Sequence, residues 1–90
     1  MLKDLEDLIK TIRDRKNSSG HMSYTQKLLN DKNLSVSKVK EEVNELIEAV
    51  EKDTNKVHES ADVVYHLLVY LEANNIKIED VVKELVRRKK

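Results

Sequence analysis

The sequence contains no cysteine, no proline, no tryptophan and no phenylalanine, and it has a single glycine among 90 residues. The lack of cysteine excludes disulfides, thiolate metal ligands and cysteine nucleophiles. Sandwiches and barrels of β-strands need turns rich in glycine and proline, so the scarcity of both argues against an all-β fold. Only 39% of the residues are hydrophobic, and they must therefore be concentrated on narrow stripes to form a core.

Long hydrophobic runs are also missing. No run approaches the roughly 18 residues that a membrane span needs, and the first ten residues carry several charges. The sequence therefore predicts neither a membrane span nor a signal peptide, and we expect a cytoplasmic protein. The 17 basic and 17 acidic residues cancel, which leaves no broad basic face for nucleic acid. The charge is uneven, however, because residues 35–62 hold eight acidic and four basic side chains.

Apolar residues recur at helical spacing along the chain, and no stretch alternates as a strand would. The pattern predicts helices at about 2–15, 23–30, 35–52, 56–73 and 78–88. Ser23 is predicted to cap the second helix together with Gln26, and polar connections are predicted at 16–22 and 31–33. Short connections between long helices imply antiparallel neighbours. The sequence therefore predicts one all-α domain over residues 1–90, built as an antiparallel helical bundle.

The helix predicted at 35–52 carries acidic residues in an unexpected position. On a helical wheel Glu41, Glu42 and Glu45 lie beside the apolar stripe, whereas solvated side chains are normally opposite to it. Lys38 lies with them, one turn before Glu42. Glu-Glu-x-x-Glu is common on solvated helices, so this pattern alone is weak evidence for a site.

The helix predicted at 56–73 is apolar around almost its whole circumference, which is typical of a buried helix. The exception is a line formed by Glu59, Asp62 and His66. Buried carboxylates are costly unless a cation pairs with them, and this helix offers no well-placed basic residue. If the two helices pack antiparallel, five carboxylates converge, and they cannot all stay ionised without a metal ion. Oxygen ligands favour Mg²⁺ or Mn²⁺.

These acidic residues resemble the divided motif of the all-α nucleotide pyrophosphohydrolases, Glu41-Glu42-x-x-Glu45 followed by Glu59-x-x-Asp62. Within that superfamily the chain resembles the phosphoribosyl-ATP pyrophosphatases of histidine biosynthesis. The narrower resemblance rests on three further stretches, residues 23–28, 59–69 and 79–85. One departure is Lys40, which stands where the family usually has glycine.

The resemblance implies hydrolysis of phosphoribosyl-ATP to phosphoribosyl-AMP and pyrophosphate, the second step of histidine biosynthesis, with Mg²⁺ or Mn²⁺ as the cofactor. It implies Glu42, Glu45, Glu59 and Asp62 as metal ligands. Glu41 is then either a further ligand or the group that orients the attacking water. All five residues are expected to be catalytic.

The phosphoribosyl end of the substrate is expected to be held by five residues near the second helix: Arg15, Lys16, Ser23, Tyr24 and Thr25. The alternative role for Tyr24 is plain packing. Lys38 is expected either to contact a phosphate oxygen of the substrate or to be an ordinary surface lysine. His66 is expected either to support Asp62 through a hydrogen bond or to be a hydrogen-bonded histidine of the core. His58 is predicted to be a surface residue.

The apolar circumference of the helix at 56–73 exceeds what the other helices of one chain can cover, so we expect a homodimer that completes the bundle. Functional association with phosphoribosyl-AMP cyclohydrolase is a further expectation. Two other functions remain open at this point. One is a house-cleaning pyrophosphohydrolase that acts on non-standard nucleoside triphosphates, and the other is a helical interaction module without catalytic activity.

Overall fold

The computed structural model describes residues 2–17 and 23–89. Within these ranges the chain forms five α-helices and no strand, which confirms the predicted all-α class. The helices are α1 (Leu2–Lys16), α2 (Tyr24–Asn30), α3 (Lys32–Lys52), α4 (Lys56–Ala73) and α5 (Ile78–Arg88). Most of the connection predicted at 16–22 lies outside the described residues. No helix in the described part of the chain is long and apolar enough to cross a membrane.

Side-chain caps set the bounds of α2 and α3. Ser23 caps α2 as predicted, because its Oγ accepts a hydrogen bond from the backbone N–H of Gln26 and its own N–H donates to Gln26 Oε1, both at 3.1 Å. The break predicted at 31–33 is too long. Asp31 alone separates the two helices, because its carboxylate accepts the N–H of Leu34 at 3.0 Å and so caps the first turn of α3.

Helices α3 and α4 pack antiparallel, as predicted, and make the most extensive contacts of any helix pair. Residues 53–55 connect them, and Asp53 and Asn55 have φ of 56° and 44°. Aspartate and asparagine tolerate this left-handed conformation better than most residues, so the chain reverses direction here without glycine. This tight reversal sets the N-terminal half of α4 directly against the C-terminal half of α3.

The core lies beside the other half of α4. Its buried members come from α1, α2 and the second half of α4, namely Ile12, Leu28, Leu29, Val69 and Ala73. Apolar packing is therefore concentrated away from the turn that joins α3 to α4. Glu59 and Asp62, in the first half of α4, interact with glutamates of α3 instead.

In the single chain α4 is not buried on all sides, as expected for a helix whose apolar circumference exceeds what the other helices of one chain can cover. Val57 is 85% exposed, and Val64 and Leu67 are also exposed. These residues lie on the side of α4 opposite to the buried His66 and Val69. The exposed apolar side chains of α3 and α4 form what we call the open face: Val43, Ile47, Val50, Val57, Val64 and Leu67.

Candidate active site

The packing of α3 against α4 brings together the five acidic residues that the sequence singled out. Glu42 is buried, with only 8% of its surface exposed. Glu45 interacts both with Glu42 on its own helix and with Glu59 on α4. The charge of Asp62 raises the pKa of both Glu42 and Glu59. Together with Glu41, these carboxylates form a single acidic cluster.

Two oxygens of the acidic cluster have no hydrogen-bond donor. Across residues 2–17 and 23–89, no donor reaches Oε2 of Glu42 or Oε2 of Glu59, and both atoms are fully buried. A buried oxygen without a partner is destabilising, so each is expected to have a ligand. Glu41, Glu42 and Glu45 offer oxygens within 4.8 Å of one another. This donor set fits a hard divalent cation such as Mg²⁺.

The electrostatics of the acidic cluster support the same conclusion. Burial raises the pKa of the Glu42 carboxyl, and the neighbouring Glu45 and Asp62 raise it further, while His66 acts in the opposite direction. Burial also raises the pKa of Glu59, with the charges of Glu45 and Asp62 adding to the effect. Both carboxylates are therefore destabilised in their charged form. A bound cation reverses this effect, because it stabilises the charged form of each.

His58 contacts the acidic cluster, although it is a surface residue as predicted. Its side chain is 73% exposed, and its Nε2 lies 3.4 Å from Oδ2 of Asp62. His58, Glu59 and Asp62 each offer a ligand atom within 4.8 Å of the others. The signal for this contact was the four-residue spacing of His58 and Asp62, which places both on one side of a helix.

Lys38 and Tyr24 lie at the edge of the acidic cluster. Nζ of Lys38 is 3.3 Å from a carboxylate oxygen of Glu41, and this hydrogen bond raises the pKa of the lysine. Burial raises the pKa of Tyr24, Lys38 opposes the shift, and the charges of Glu41 and Glu42 add to it. The tyrosine ring from α2 and the ammonium from α3 are thus close neighbours of the same carboxylates.

His66 lies beneath Tyr24 and is 7% exposed. Its Nδ1 is 2.8 Å from the backbone oxygen of Asp62, and its Nε2 is 3.0 Å from Oη of Tyr24. Because a carbonyl oxygen can only accept, Nδ1 carries the proton. His66 therefore supports the main chain of Asp62 and not its carboxylate. It is also a hydrogen-bonded core histidine, the second of the two roles expected from the sequence.

The structure does not bring Lys16 to the acidic cluster. Its Nζ donates to the backbone oxygen of Glu72 at 2.8 Å and to Oδ1 of Asn75 at 2.6 Å, at the end of α4 that is remote from Glu59. The last carbonyls of a helix lack intrahelical donors and attract cations, which explains this position. Binding of substrate by Lys16 has no support in the described geometry.

The other predicted substrate-binding residues around α2 are engaged in local contacts. The Thr25 hydroxyl is hydrogen-bonded to the hydroxyl of Tyr65, and Ser23 is the helix cap described above. The backbone oxygen of Arg15 accepts a hydrogen bond from Nε2 of Gln26 at 3.1 Å. Arg15 itself is exposed. Of the predicted substrate-binding residues on and around α2 that the structure describes, Tyr24 is therefore the one whose hydroxyl lies near the acidic cluster.

Comparisons with known proteins identify relatives of this chain. The chain is 46% identical over 89 residues to the phosphoribosyl-ATP pyrophosphatase of Clostridium acetobutylicum. The matched residues are 93% of this chain and 79% of the relative. The chain is 43% identical over 82 residues to the protein of the same name from Methanosarcina acetivorans, covering 86% of this chain and 79% of the relative.

A longer relative contains a similar segment. The histidine biosynthesis trifunctional protein of Candida albicans is 37% identical over 81 residues, which are 90% of this chain but 10% of that protein. Residues 5–89 also match the family described as phosphoribosyl-ATP pyrophosphohydrolase. The chain therefore belongs to the phosphoribosyl-ATP pyrophosphohydrolase family, as the resemblance in its acidic motifs and in residues 23–28, 59–69 and 79–85 predicted.

Proposed function

We propose that this chain hydrolyses phosphoribosyl-ATP to phosphoribosyl-AMP and pyrophosphate in histidine biosynthesis, with Mg²⁺ as its cofactor and Mn²⁺ as a substitute. The observation that carries the proposal is the pair of buried, unpartnered oxygens, Glu42 Oε2 and Glu59 Oε2, on two facing helices. The family and the names of the relatives supply the substrate.

Four members of the acidic cluster would hold the metal: Glu42, Glu45, Glu59 and Asp62. When bound, Mg²⁺ supplies positive charge to the phosphates and lowers the pKa of a coordinated water. A cleft beside Glu45 and Glu59 leaves room for phosphate groups next to these ligands. The position of this cleft next to the acidic cluster supports the assignment of these residues to the metal and its substrate.

Two further residues of the chain would then position the attacking water and the phosphate group. Glu41 is an exposed member of the acidic cluster and is not among the four proposed ligands, so we assign it to the water: it orients the water molecule and accepts its proton. The water oxygen forms a bond to phosphorus, the α–β anhydride bond breaks, and pyrophosphate leaves with the electron pair. Lys38, which lies 3.3 Å from Glu41, donates to a phosphate oxygen.

The proposal includes a homodimer. The open face presents apolar side chains on two packed helices, and a second copy of the chain would remove them from water. Because a segment similar to this chain is part of a trifunctional histidine-biosynthesis protein, we also propose functional association with phosphoribosyl-AMP cyclohydrolase, which consumes the product.

Pyrophosphate release from phosphoribosyl-ATP tests the proposed function directly. We expect turnover with Mg²⁺ and none after chelation with EDTA. A panel of canonical and non-standard nucleoside triphosphates serves as the comparison, and each should be hydrolysed more slowly than phosphoribosyl-ATP. Faster hydrolysis of one of these triphosphates would assign the chain to house-cleaning, and no turnover of any nucleotide would leave it as an interaction module. Either result contradicts the proposal.

A further inference from the structure

A chain of two hydrogen bonds joins Tyr24 to the main chain of α4. Nδ1 of His66 donates to the backbone oxygen of Asp62, so in the neutral imidazole Nε2 has a lone pair and no proton. Nε2 lies 3.0 Å from Oη of Tyr24, and the only proton available for this contact is that of the phenol. The hydroxyl of Tyr24 therefore donates to His66.

This arrangement fixes what Tyr24 can offer to a ligand. A phenol has one proton and two acceptor lone pairs, and the proton is already used on His66. In the part of the chain that the structure describes, no second hydrogen bond reaches the Tyr24 oxygen. The residue is 49% exposed, so a ligand can approach it. Toward that ligand Tyr24 is an acceptor only.

An acceptor cannot bind an ionised phosphate, whose oxygens also only accept. Lys38 has the complementary chemistry, because an ammonium group is a donor only. The two residues are close enough for each to influence the pKa of the other. In a nucleotide whose phosphates lie at the acidic cluster, the nearest donors are the hydroxyl groups of the attached ribose. Lys38 thus suits the phosphates, and Tyr24 suits the sugar.

We propose that Tyr24 recognises the ribose of the nucleotide by accepting a hydrogen bond from a sugar hydroxyl, and that His66 is the positioning residue that fixes Tyr24 as an acceptor. The inference rests on the proposed function, because it takes the substrate to be a nucleotide with its phosphates at the acidic cluster. The inference goes further by stating which part of the nucleotide each residue binds: Lys38 binds the phosphates and Tyr24 binds the ribose.

The first test concerns His66 and needs no substrate. Long-range ¹H–¹⁵N spectra of the full chain at pH 8, above the ordinary histidine pKa of about 6.5, report which ring nitrogen carries the proton. His66→Gln identifies the signals that belong to this residue. We expect the proton on Nδ1. A proton on Nε2 would overturn the proposal, because Tyr24 would then accept from His66 and donate to the ligand.

The second test concerns Tyr24 and uses ATP, 2′-deoxy-ATP and 3′-deoxy-ATP as probes in calorimetric titrations with Mg²⁺. In the wild type one deoxy analogue should bind about 3- to 10-fold more weakly than ATP, as expected for one neutral hydrogen bond. The Tyr24→Phe variant should bind ATP as weakly as the wild type binds that analogue. The variant should also bind ATP and that analogue with equal affinity. Tyr70→Phe, which removes another tyrosine hydroxyl, should keep the wild-type preference.

Turnover gives an independent reading. Tyr24→Phe should raise KM for phosphoribosyl-ATP about 3- to 10-fold and leave kcat within about twofold, because the contact is made equally before and during the reaction. If Tyr24→Phe keeps the wild-type preference for ATP over that deoxy analogue, with unchanged KM, the assignment is overturned. If the wild type fails to hydrolyse phosphoribosyl-ATP, the proposed function fails, while the histidine spectra and the ATP titrations still decide the role of Tyr24.

Discussion

Nδ1 of His66 donates to the backbone oxygen of Asp62 over 2.8 Å, whereas the Asp62 carboxylate lies next to His58 at 3.4 Å. The distinction matters for metal binding. A residue that holds a ligand side chain in place usually changes metal affinity by about 10- to 100-fold when it is mutated. His66 supports the helix backbone, which is already held by the hydrogen bonds of α4.

We therefore expect His66→Gln to change Mg²⁺ affinity by less than about threefold. Titration calorimetry of the wild type and the variant measures this directly. Asp62→Asn is the matched comparison, because it alters the proposed ligand itself and should remove most of the binding. A tenfold loss of affinity in His66→Gln, with the helical circular dichroism unchanged, would show that His66 controls the Asp62 carboxylate after all.

A second prediction concerns Glu45, whose charge raises the pKa of Glu42 and adds to the raised pKa of Glu59. Glu45→Gln replaces a repelling carboxylate by an amide that can donate to their unpartnered oxygens. Without metal, the melting temperature should rise by about 3–6 °C. Mg²⁺ should no longer stabilise the variant, and pyrophosphate release should fall to background.

Glu51→Gln is the control for this experiment, because Glu51 is an exposed glutamate of the same helix. It should melt like the wild type, keep its stabilisation by Mg²⁺ and turn over normally. If Glu45→Gln retained both its response to Mg²⁺ and its turnover, Glu45 could not be a metal ligand. A fall in the melting temperature without metal would contradict the proposed repulsion within the acidic cluster.

The acidic cluster could be predicted from the sequence because its members repeat at local helical spacing. Glu42 and Glu45 are three residues apart, as are Glu59 and Asp62, and one short turn relates the two pairs. The contact between Tyr24 and His66 spans 42 residues and obeys no such periodicity. Its formation depends on where α2 crosses α4, which is set by packing in the core.

The start of α3 and the position of Lys16 differ from expectation for two reasons, one local and one long-range. The apolar pattern predicts that α3 begins at about residue 35, because the residues directly after Asp31 are polar. In the structure α3 begins at Lys32, because the Asp31 carboxylate accepts the N–H of Leu34 and so caps the helix three residues earlier. Lys16 was assigned to substrate because it adjoins a polar loop. Its partner, the C-terminal end of α4 at Glu72, is 56 residues away in sequence and could not be foreseen.

The third prediction concerns assembly through the open face. Light scattering at micromolar concentration should give about twice the 10.5 kDa mass of one chain. Val64→Lys places a charge in the middle of this apolar surface and should yield monomers, since burying an unpaired lysine is costly. Leu2→Lys, at another exposed leucine, should leave the mass unchanged. A stable wild-type monomer, or dissociation by Leu2→Lys alone, would contradict this assembly.

The fourth prediction is a pH dependence outside the acidic cluster. Arg13 on α1 donates to the carboxylate of Glu79 on α5 at 2.8 Å and, chiefly through this hydrogen bonding, lowers the pKa of Glu79 from 4.5 to about 2. The folded state thus favours the charged form, so the stabilisation is present above pH 4.5 and is lost as the pH falls toward about 2.

Glu79→Gln should accordingly lower the melting temperature at pH 7 by about 1–3 °C, the small effect expected of an exposed ion pair. The difference from the wild type should shrink steadily below pH 4.5. Melting curves at pH 7, 5 and 3 measure it, with Asp80→Asn as the neighbouring control. If the difference in melting temperature between Glu79→Gln and the wild type stays constant over this pH range, Arg13 does not stabilise the charged form of Glu79 over the protonated form.

The last prediction concerns Lys38, which we assign to a substrate phosphate. Lys38→Met keeps an unbranched side chain, one atom shorter, and a similar helix propensity, but removes the charge. Charge-assisted hydrogen bonds are the strong ones, so kcat/KM for phosphoribosyl-ATP should fall by about 10- to 100-fold. Lys32→Met, at an exposed lysine of the same helix, should change it by less than about threefold.

Lys38 also pairs with Glu41, so a loss of activity could arise through the carboxylate alone. Lys38→Arg separates the two explanations, because arginine retains a cation for Glu41 but differs in shape and reach. If Lys38 acts only by pairing with Glu41, Lys38→Arg should be fully active. If its ammonium contacts the phosphate, Lys38→Arg should fall between Lys38→Met and the wild type, with the deficit in kcat/KM. Full activity in Lys38→Met would leave Lys38 as a surface lysine.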